Sequence, residues 1–406
     1  MAHEQIWPHI RYMRTRPYTL LFALLAVTGV PVASAQSADS LRARIESPRI
    51  AGDTGVAGLT LDELLARANT PGISVAVIHN FAVHWARGYG VADAATGRRV
   101  DARTRFQAAS ISKPVTALAV MRLVQDGKVS LDDDINATLR SWRVPDSEFT
   151  RSQKVTWRSL LSHTSGADDG LGFPGYDPGA PRPTLVQILK GEGPTNVRAV
   201  TFARAPYARF KYSGGGSTIV QLALTDLTQR DFAGWMRDMV LAPLGMNNSG
   251  FEQPAPDSLH ARLAHAHSAQ GRRMGDVPWH VYPEQSAAGL WTTAEDLARF
   301  VIEIQRAARG PQGAVLTQAA AREMLTPVGT GAFGVGPMLS YRGEGWYFHH
   351  SGGNWGFTAN VEGHVRHGYG LVVMTNGGVG GRVIAELTER VARAYGWDRV
   401  VEPLRR

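Results

Sequence analysis

The sequence predicts a mixed α/β (α+β) fold: an antiparallel sheet assembled from both chain ends, flanked by helices, with a mostly helical region inserted between. Three observations carry that expectation. Runs rich in β-branched and aromatic residues lie at Ile73–Ile78 and Ala82–Tyr89, and again at Phe333–Ser340, Trp346–His349, Phe357–Glu362 and Gly368–Thr375. Helical runs separated by long Gly/Pro loops fill the stretch from about 128 to 325. The chain is 406 residues long, 44% apolar and 19% charged, an ordinary globular mixture that excludes wholesale disorder and a multi-span membrane protein.

Arg11, Arg14 and Arg16 precede an apolar run from Tyr18 to Val27, and Ala33-Ser34-Ala35 follows. This is the three-part pattern of a secretory leader cleaved near Ala35. The run is shorter than the roughly 20 residues of a membrane-spanning helix, so no stable membrane anchor is expected. The mature chain is expected in the periplasm or outside the cell. It would keep 40 basic and 34 acidic residues, a net charge of +6 against +8 for the whole chain. Cysteine is absent, which removes disulfides, thiolate metal sites and a cysteine nucleophile. The basic residues form no stripe and accompany no nucleic-acid motif, so no nucleic-acid partner is expected.

Residues 36–57 read as a linker or short helix. Leu61, Leu64 and Leu65 then mark a helical face with Thr60 as N-cap, stopped by Pro71-Gly72. A turn at 79–81 joins the first two strands. The most decisive helix runs from Ser110 to Asp126. Val115, Leu118, Val120, Met121 and Leu123 surround it with apolar side chains, the mark of a buried helix. Pro114 lies in its first turn and Gly127 ends it. Further helices are expected at Trp157–Ser162, Ser217–Thr228, Phe232–Leu241, Ala294–Ala308 and Arg382–Tyr395. The sheet domain would comprise 58–116 and 326–400, and the helical domain 117–325.

No G-x-S-x-G, H-E-x-x-H, P-loop or G-x-G-x-x-G occurs. His260, His265 and His267 lie in a segment that reads as a hairpin turning at Gln270-Gly271, without supporting carboxylates. No metal and no organic cofactor is expected. The positive signal is Ser110-Ile111-Ser112-Lys113 at the start of the buried helix. Residues i and i+3 share a helix face, so the Lys113 amine can reach the Ser110 hydroxyl. Desolvation and the positive end of the helix dipole both favour the neutral amine, which is the form a base needs. The Ser110 N–H is a candidate oxyanion donor. Ser112 points off the Lys113 face and has no assigned role. Two further segments are candidates for the same site. One is Phe210-Lys211-Tyr212-Ser213 with the flexible glycines 214–216. The other is His349-His350-Ser351-Gly352-Gly353, whose glycines let a substrate approach a strand edge. Adjacent strand residues alternate, so only one of His349 and His350 can face the site. Phe173, Tyr176 and Trp355 are pocket-wall candidates that can equally well only pack.

Taken together with Leu160-Leu161-Ser162-His163-Thr164-Ser165-Gly166, Pro243-Leu244-Gly245-Met246 and Ala288-Gly289-Leu290-Trp291-Thr292-Thr293-Ala294-Glu295-Asp296, these pieces resemble the serine β-lactamase and penicillin-binding-protein superfamily. The likeness is to its class C β-lactamase, esterase and D-aminopeptidase branch. It spans Gly58 to Gly396. The resemblance implies the β-lactamase/transpeptidase fold, with Ser110 as acylated nucleophile, Lys113 as its activator and Tyr212 as general base or proton shuttle. It places His350 where relatives carry the lysine of K-T-G, and the Gly353 N–H as second oxyanion donor beside Ser110, with Ser351 and Gly352 lining the substrate edge. Gly214 stands where the Y-x-N motif has asparagine, which puts efficient β-lactam hydrolysis in doubt. The expected substrate is a small ester, a D-amino-acid peptide or a peptidoglycan fragment. A penicillin-binding D,D-carboxypeptidase or weak β-lactamase, and a non-catalytic module of the same fold that binds peptidoglycan fragments or a partner, are the rival readings.

Overall fold

A computed structural model of the chain describes residues 37–48, 55–169, 172–311 and 313–398. The leader-like segment before Ala35 lies outside the described residues. Among the described residues, no helix is long and apolar enough to cross a membrane.

Seven antiparallel strands form the main sheet. They are β1 (Gly72–His79), β2 (Ala82–Asp93), β3 (Arg98–Arg99), β4 (Met338–Arg342), β5 (Gly345–Asn354), β6 (Phe357–His364) and β7 (Gly370–Thr375). Their spatial order is β3-β2-β1-β7-β6-β5-β4, so the two ends of the chain meet at the β1–β7 pair. Val75 faces Val373 there, and Gly72 N donates to the Asn376 side chain from 304 positions away.

Both faces of the sheet are covered, and the side-chain period of two sorts its residues between them. Ile73, Val75, Val77, Leu371 and Val373 pack on one side with Ile45, Leu64, Leu65, Val383, Leu387 and Val391. That layer consists of α1 (Ala38–Glu46), α2 (Leu61–Arg67) and the C-terminal helix α7 (Gly381–Tyr395). Thr60 and Glu63 cap α2 with a reciprocal box, as the sequence predicted for Thr60. Of the two readings for 36–57, the short helix is the one found over Ala38–Glu46. Ala76, Ile78, Val372 and Met374 face the opposite, larger core. There α6 (Ala294–Arg309) lies across β1, β6 and β7, and α3 (Ser112–Gln125), α4 (Gly214–Thr228) and α5 (Gln285–Ala288) pack beyond it.

Several boundaries differ from the sequence reading. The strand expected at Phe333–Ser340 begins at Met338, because Gly336 at φ +109° breaks the extended run. The glycines 214–216, expected as a flexible loop, are the first turn of α4, whose N-cap Ser213 accepts from Gly216 N. The expected hairpin around 260–273 is a 3-10 turn at Asp257–Arg262 and a single bridge, His267 to Arg273. Gly271, at φ +71°, does sit in the turn. Its histidines serve packing and backbone. His260 and His265 lie edge-on to Trp279, and His267 contacts the Asn376 carbonyl through Nδ1.

Candidate active site

Ser110 does not open the α-helix itself. It occupies a 3-10 turn, Ala109–Ile111, that feeds into α3. Ala109 holds φ +50°, a left-handed conformation costly for a residue with a Cβ and common where a structure aims a side chain. Ser112 fastens this turn. Its hydroxyl donates to the Ala109 carbonyl at 2.6 Å and accepts from Leu290 N at 3.0 Å. The sequence offered no role for Ser112, because its partner at Leu290 is remote along the chain.

Lys113 is 6% exposed. Its Nζ lies 3.1 Å from Ser110 Oγ and donates to the Ala287 carbonyl of α5 at 2.8 Å. It also sits 5.0 Å from the centre of the Tyr212 ring. The hydroxyl, amine and phenol named from the sequence are therefore neighbours. The Ala287 carbonyl, which orients the amine, carried no sequence signal of its own.

Tyr212 is held between two histidines. His163 lies 4.3 Å from it, ring centre to ring centre, and His350 6.1 Å. Phe333 closes the cluster, edge-on to both imidazoles. His163 is the residue the sequence reading missed. It stood inside the quoted Ser162–Gly166 motif with no role, and its left-handed φ of +58° is what turns the ring toward Tyr212. His163 Nδ1 accepts from Ser213 N at 3.2 Å, which places its proton on Nε2. His350 is the reverse. Its Nδ1–H donates to the Ser351 carbonyl at 2.6 Å, leaving a buried Nε2 lone pair with no protein partner. Both rings stay neutral. Burial, and then the Lys113 charge, push His350 down to about 3 and His163 well below the usual imidazole range.

Strand β5 forms the facing edge. His350 points inward at 2% exposure, while His349 takes the alternate face, opposite Met338 and Glu362 in the register. Ser351 and Gly353 face outward and Gly352 inward. A Cβ on Gly352 would overlap the Ala108 carbonyl oxygen, so a glycine lets this strand touch the Ser110 turn. Nothing fills the space around Gly353. Past it, Asn354 donates to Gln107 Oε1 at 2.8 Å and to the Ala288 carbonyl at 3.1 Å, tying the strand end to α5. At Gly214 a Cβ would lie 2.6 Å from the Phe173 ring, so an asparagine and this phenylalanine cannot share the place. Of the other wall candidates, Tyr176 is buried and Trp355 stacks on His280 at 4.1 Å. Among the described residues, no group of three or more acidic or imidazole side chains could hold a metal ion.

This arrangement can carry a nucleophilic attack by a hydroxyl whose proton has an amine within reach, beside a strand edge open to substrate. The esterase EstB of Burkholderia gladioli is 27% identical over 350 residues, covering 78% of this chain and 81% of EstB. The flp proteins of Staphylococcus aureus are about 22% identical over 326 residues, and the chain spans about three fifths (61%) of their length. The solved structure of EstCE1, a hydrolase with promiscuous acyltransferase activity, superposes with a TM-score of 0.68 at 21% identity, covering 87% of this chain and 99% of that one. The beta-lactamase family model matches residues 59–395, which take in the Ser110 turn, the Tyr212 loop and strand β5, and the chain belongs to the β-lactamase family.

Proposed function

We propose that this protein is an exported serine hydrolase that cleaves small, uncharged esters through an acyl-enzyme on Ser110. The observation that carries the reading is the 3.1 Å approach of Lys113 Nζ to Ser110 Oγ in a site walled by Tyr212 and two neutral imidazoles. In this reading Ser110 Oγ bonds to the ester carbonyl carbon while its proton passes to the Lys113–Tyr212 relay. The N–H groups of Ser110 and Gly353 receive the oxyanion. Collapse breaks the bond to the alcohol, which leaves with a proton relayed through Tyr212. Water then attacks the acyl carbon, gives up a proton to the same relay, and frees the acid. The Nε2 lone pair of His350 is an acceptor within the dry wall and orients that relay.

Charge supports uncharged substrates. His350 is neutral where relatives of this type hold a lysine, and Lys113 is occupied with Ser110 and Ala287. Neither His350 nor Lys113 is then free to greet a substrate carboxylate, and Phe173 fills the place of the Y-x-N amide. β-Lactams and peptides ending in D-alanine carry that carboxylate. The leader-like pattern before Ala35 supports export. EstB, which bears the esterase name, aligns with this chain over most of its length.

The test is covalent labelling with a fluorophosphonate, followed by turnover of p-nitrophenyl esters, nitrocefin and a D-Ala-D-Ala peptide. Wild type is expected to label and to favour the esters, and Ser110→Ala to do neither. Equal labelling of Ser110→Ala would overturn the nucleophile, and absence of labelling in wild type would favour a binding module.

A further inference from the structure

The helix Trp157–Leu161 ends in a motif that ordinarily asks for glycine. His163 N donates to the Leu160 carbonyl at 3.3 Å and Thr164 N to the Ser159 carbonyl at 2.8 Å, the paired bonds of a Schellman terminus. His163 holds the left-handed position of that motif, at φ +58°. The ends of α3 and α7 carry left-handed glycines instead, Gly127 and Gly396, each at φ +65°. A residue with a Cβ is costly in this conformation, and such strain persists where the surroundings make use of it.

The Tyr212 loop is what uses it. The backbone N–H groups on either side of Tyr212 both end on His163. Lys211 N donates to its carbonyl at 2.8 Å, and Ser213 N donates to its Nδ1 at 3.2 Å. Between those two bonds the phenol ring lies on the imidazole, 4.3 Å from it and 31° from parallel. Phe333 and Phe210 stand edge-on to the imidazole at 4.8 and 6.3 Å and hold its plane. Burial and the Lys113 charge keep the ring neutral, so it adds no charge to the site. Three properties meet in this one side chain. Glycine would relieve the backbone and supply neither acceptor nor ring. Phenylalanine would supply the ring and leave the buried Ser213 N–H without an acceptor. Asparagine suits the left-handed backbone and offers an oxygen in the place of Nδ1, but it has no ring to stack.

We infer that His163 is a positioning residue: it clamps the backbone on both sides of Tyr212 and sets the plane of its ring, and so keeps the phenol beside Lys113, whose Nζ lies 5.0 Å from the ring centre. It acts through Tyr212 and takes up no proton itself. Loss of the clamp slows proton transfer and leaves substrate binding along the Gly353 edge unchanged. The kinetic part rests on the esterase reading above.

The experiment compares wild type, His163→Asn and His163→Phe on a p-nitrophenyl ester, with circular dichroism to confirm the fold. In both variants kcat is expected to fall at least about tenfold while KM stays within about twofold of wild type, because a displaced phenol no longer meets the proton path. A residue that only ended its helix would be replaced by asparagine without loss. Wild-type kcat in His163→Asn would therefore overturn the proposal, as would a KM that rises in step with the fall in kcat, and His163→Asn decides alone if the phenylalanine variant does not fold. Nitrogen NMR of the imidazole, assigned by its loss in His163→Asn, reads the clamp without any catalysis. One proton, on Nε2, is expected, with a coupling across the hydrogen bond from Ser213 N to Nδ1. A proton on Nδ1 would sink the clamp whether or not esters are cleaved.

Discussion

Single ionisable side chains set much of this protein's response to pH. Glu284 is fully buried and both its oxygens lack a partner; burial pushes it up to about 7 from an ordinary 4.5. A carboxyl raised in the folded state imposes no cost below about 4.5, and stability is lost as pH rises through about 7. Glu284→Gln is therefore expected to match wild type near pH 4 and to be more stable by about 3 kcal/mol near pH 8, read by denaturant titration. His350 has the opposite sign. It is pushed down to about 3 from 6.5, so its contribution is complete above about 6.5 and is lost as pH falls toward about 3. His350→Gln is expected to narrow the stability difference between about pH 7 and about pH 5 by about 2 kcal/mol, whatever its effect on absolute stability. At Gly214, asparagine alone should lower the melting temperature by overpacking against Phe173, at a cost of about 1–3 kcal/mol. Gly214→Asn combined with Phe173→Ala should recover it, and nitrocefin turnover measures whether the restored amide admits β-lactams. Ser110, Lys113, Tyr212 and His350 were legible because each sits in a short motif. His163 was not, because a left-handed backbone and a ring stacked on a distant tyrosine leave no local trace.

At the scale of elements, helices with strong periodicity were legible to within a residue or two. The buried α3 and α6 are examples, since their apolar faces are a property of the local string. The first turn of α4 was not, because three glycines argue for a loop until Ser213 and Asp169 satisfy its free N–H groups. Gly352 lets strand β5 lie close against the Ser110 turn. Gly352→Ala is expected to lower kcat/KM for esters at least about a hundredfold by displacing Gly353 from the proposed oxyanion position, while keeping the fold. Stopped-flow ester hydrolysis and circular dichroism separate those two effects.

The molecule as a whole is closed by pairing across nearly its full length. The order of the sheet follows from strands at both ends of the sequence, but the neighbours β1 and β7 could not be paired by any local signal, because register there depends on the two helical layers burying opposite faces at once. Arg390 adds a second tie between the ends. It donates from α7 to the Ile45 and Val56 carbonyls, and its own Glu386 neutralises it. A chain truncated before Gly370 leaves β1 with an open edge, and it is expected to aggregate on size exclusion and to fail to label.

The β1–β7 seam also governs when the protein can exist. A ribosome completes the strand carrying Val75 long before it makes the one carrying Val373. Until the last turns of the chain emerge, the amino-terminal hairpin has no wall to lean on. A chain of this topology cannot complete its sheet until its tail has been made.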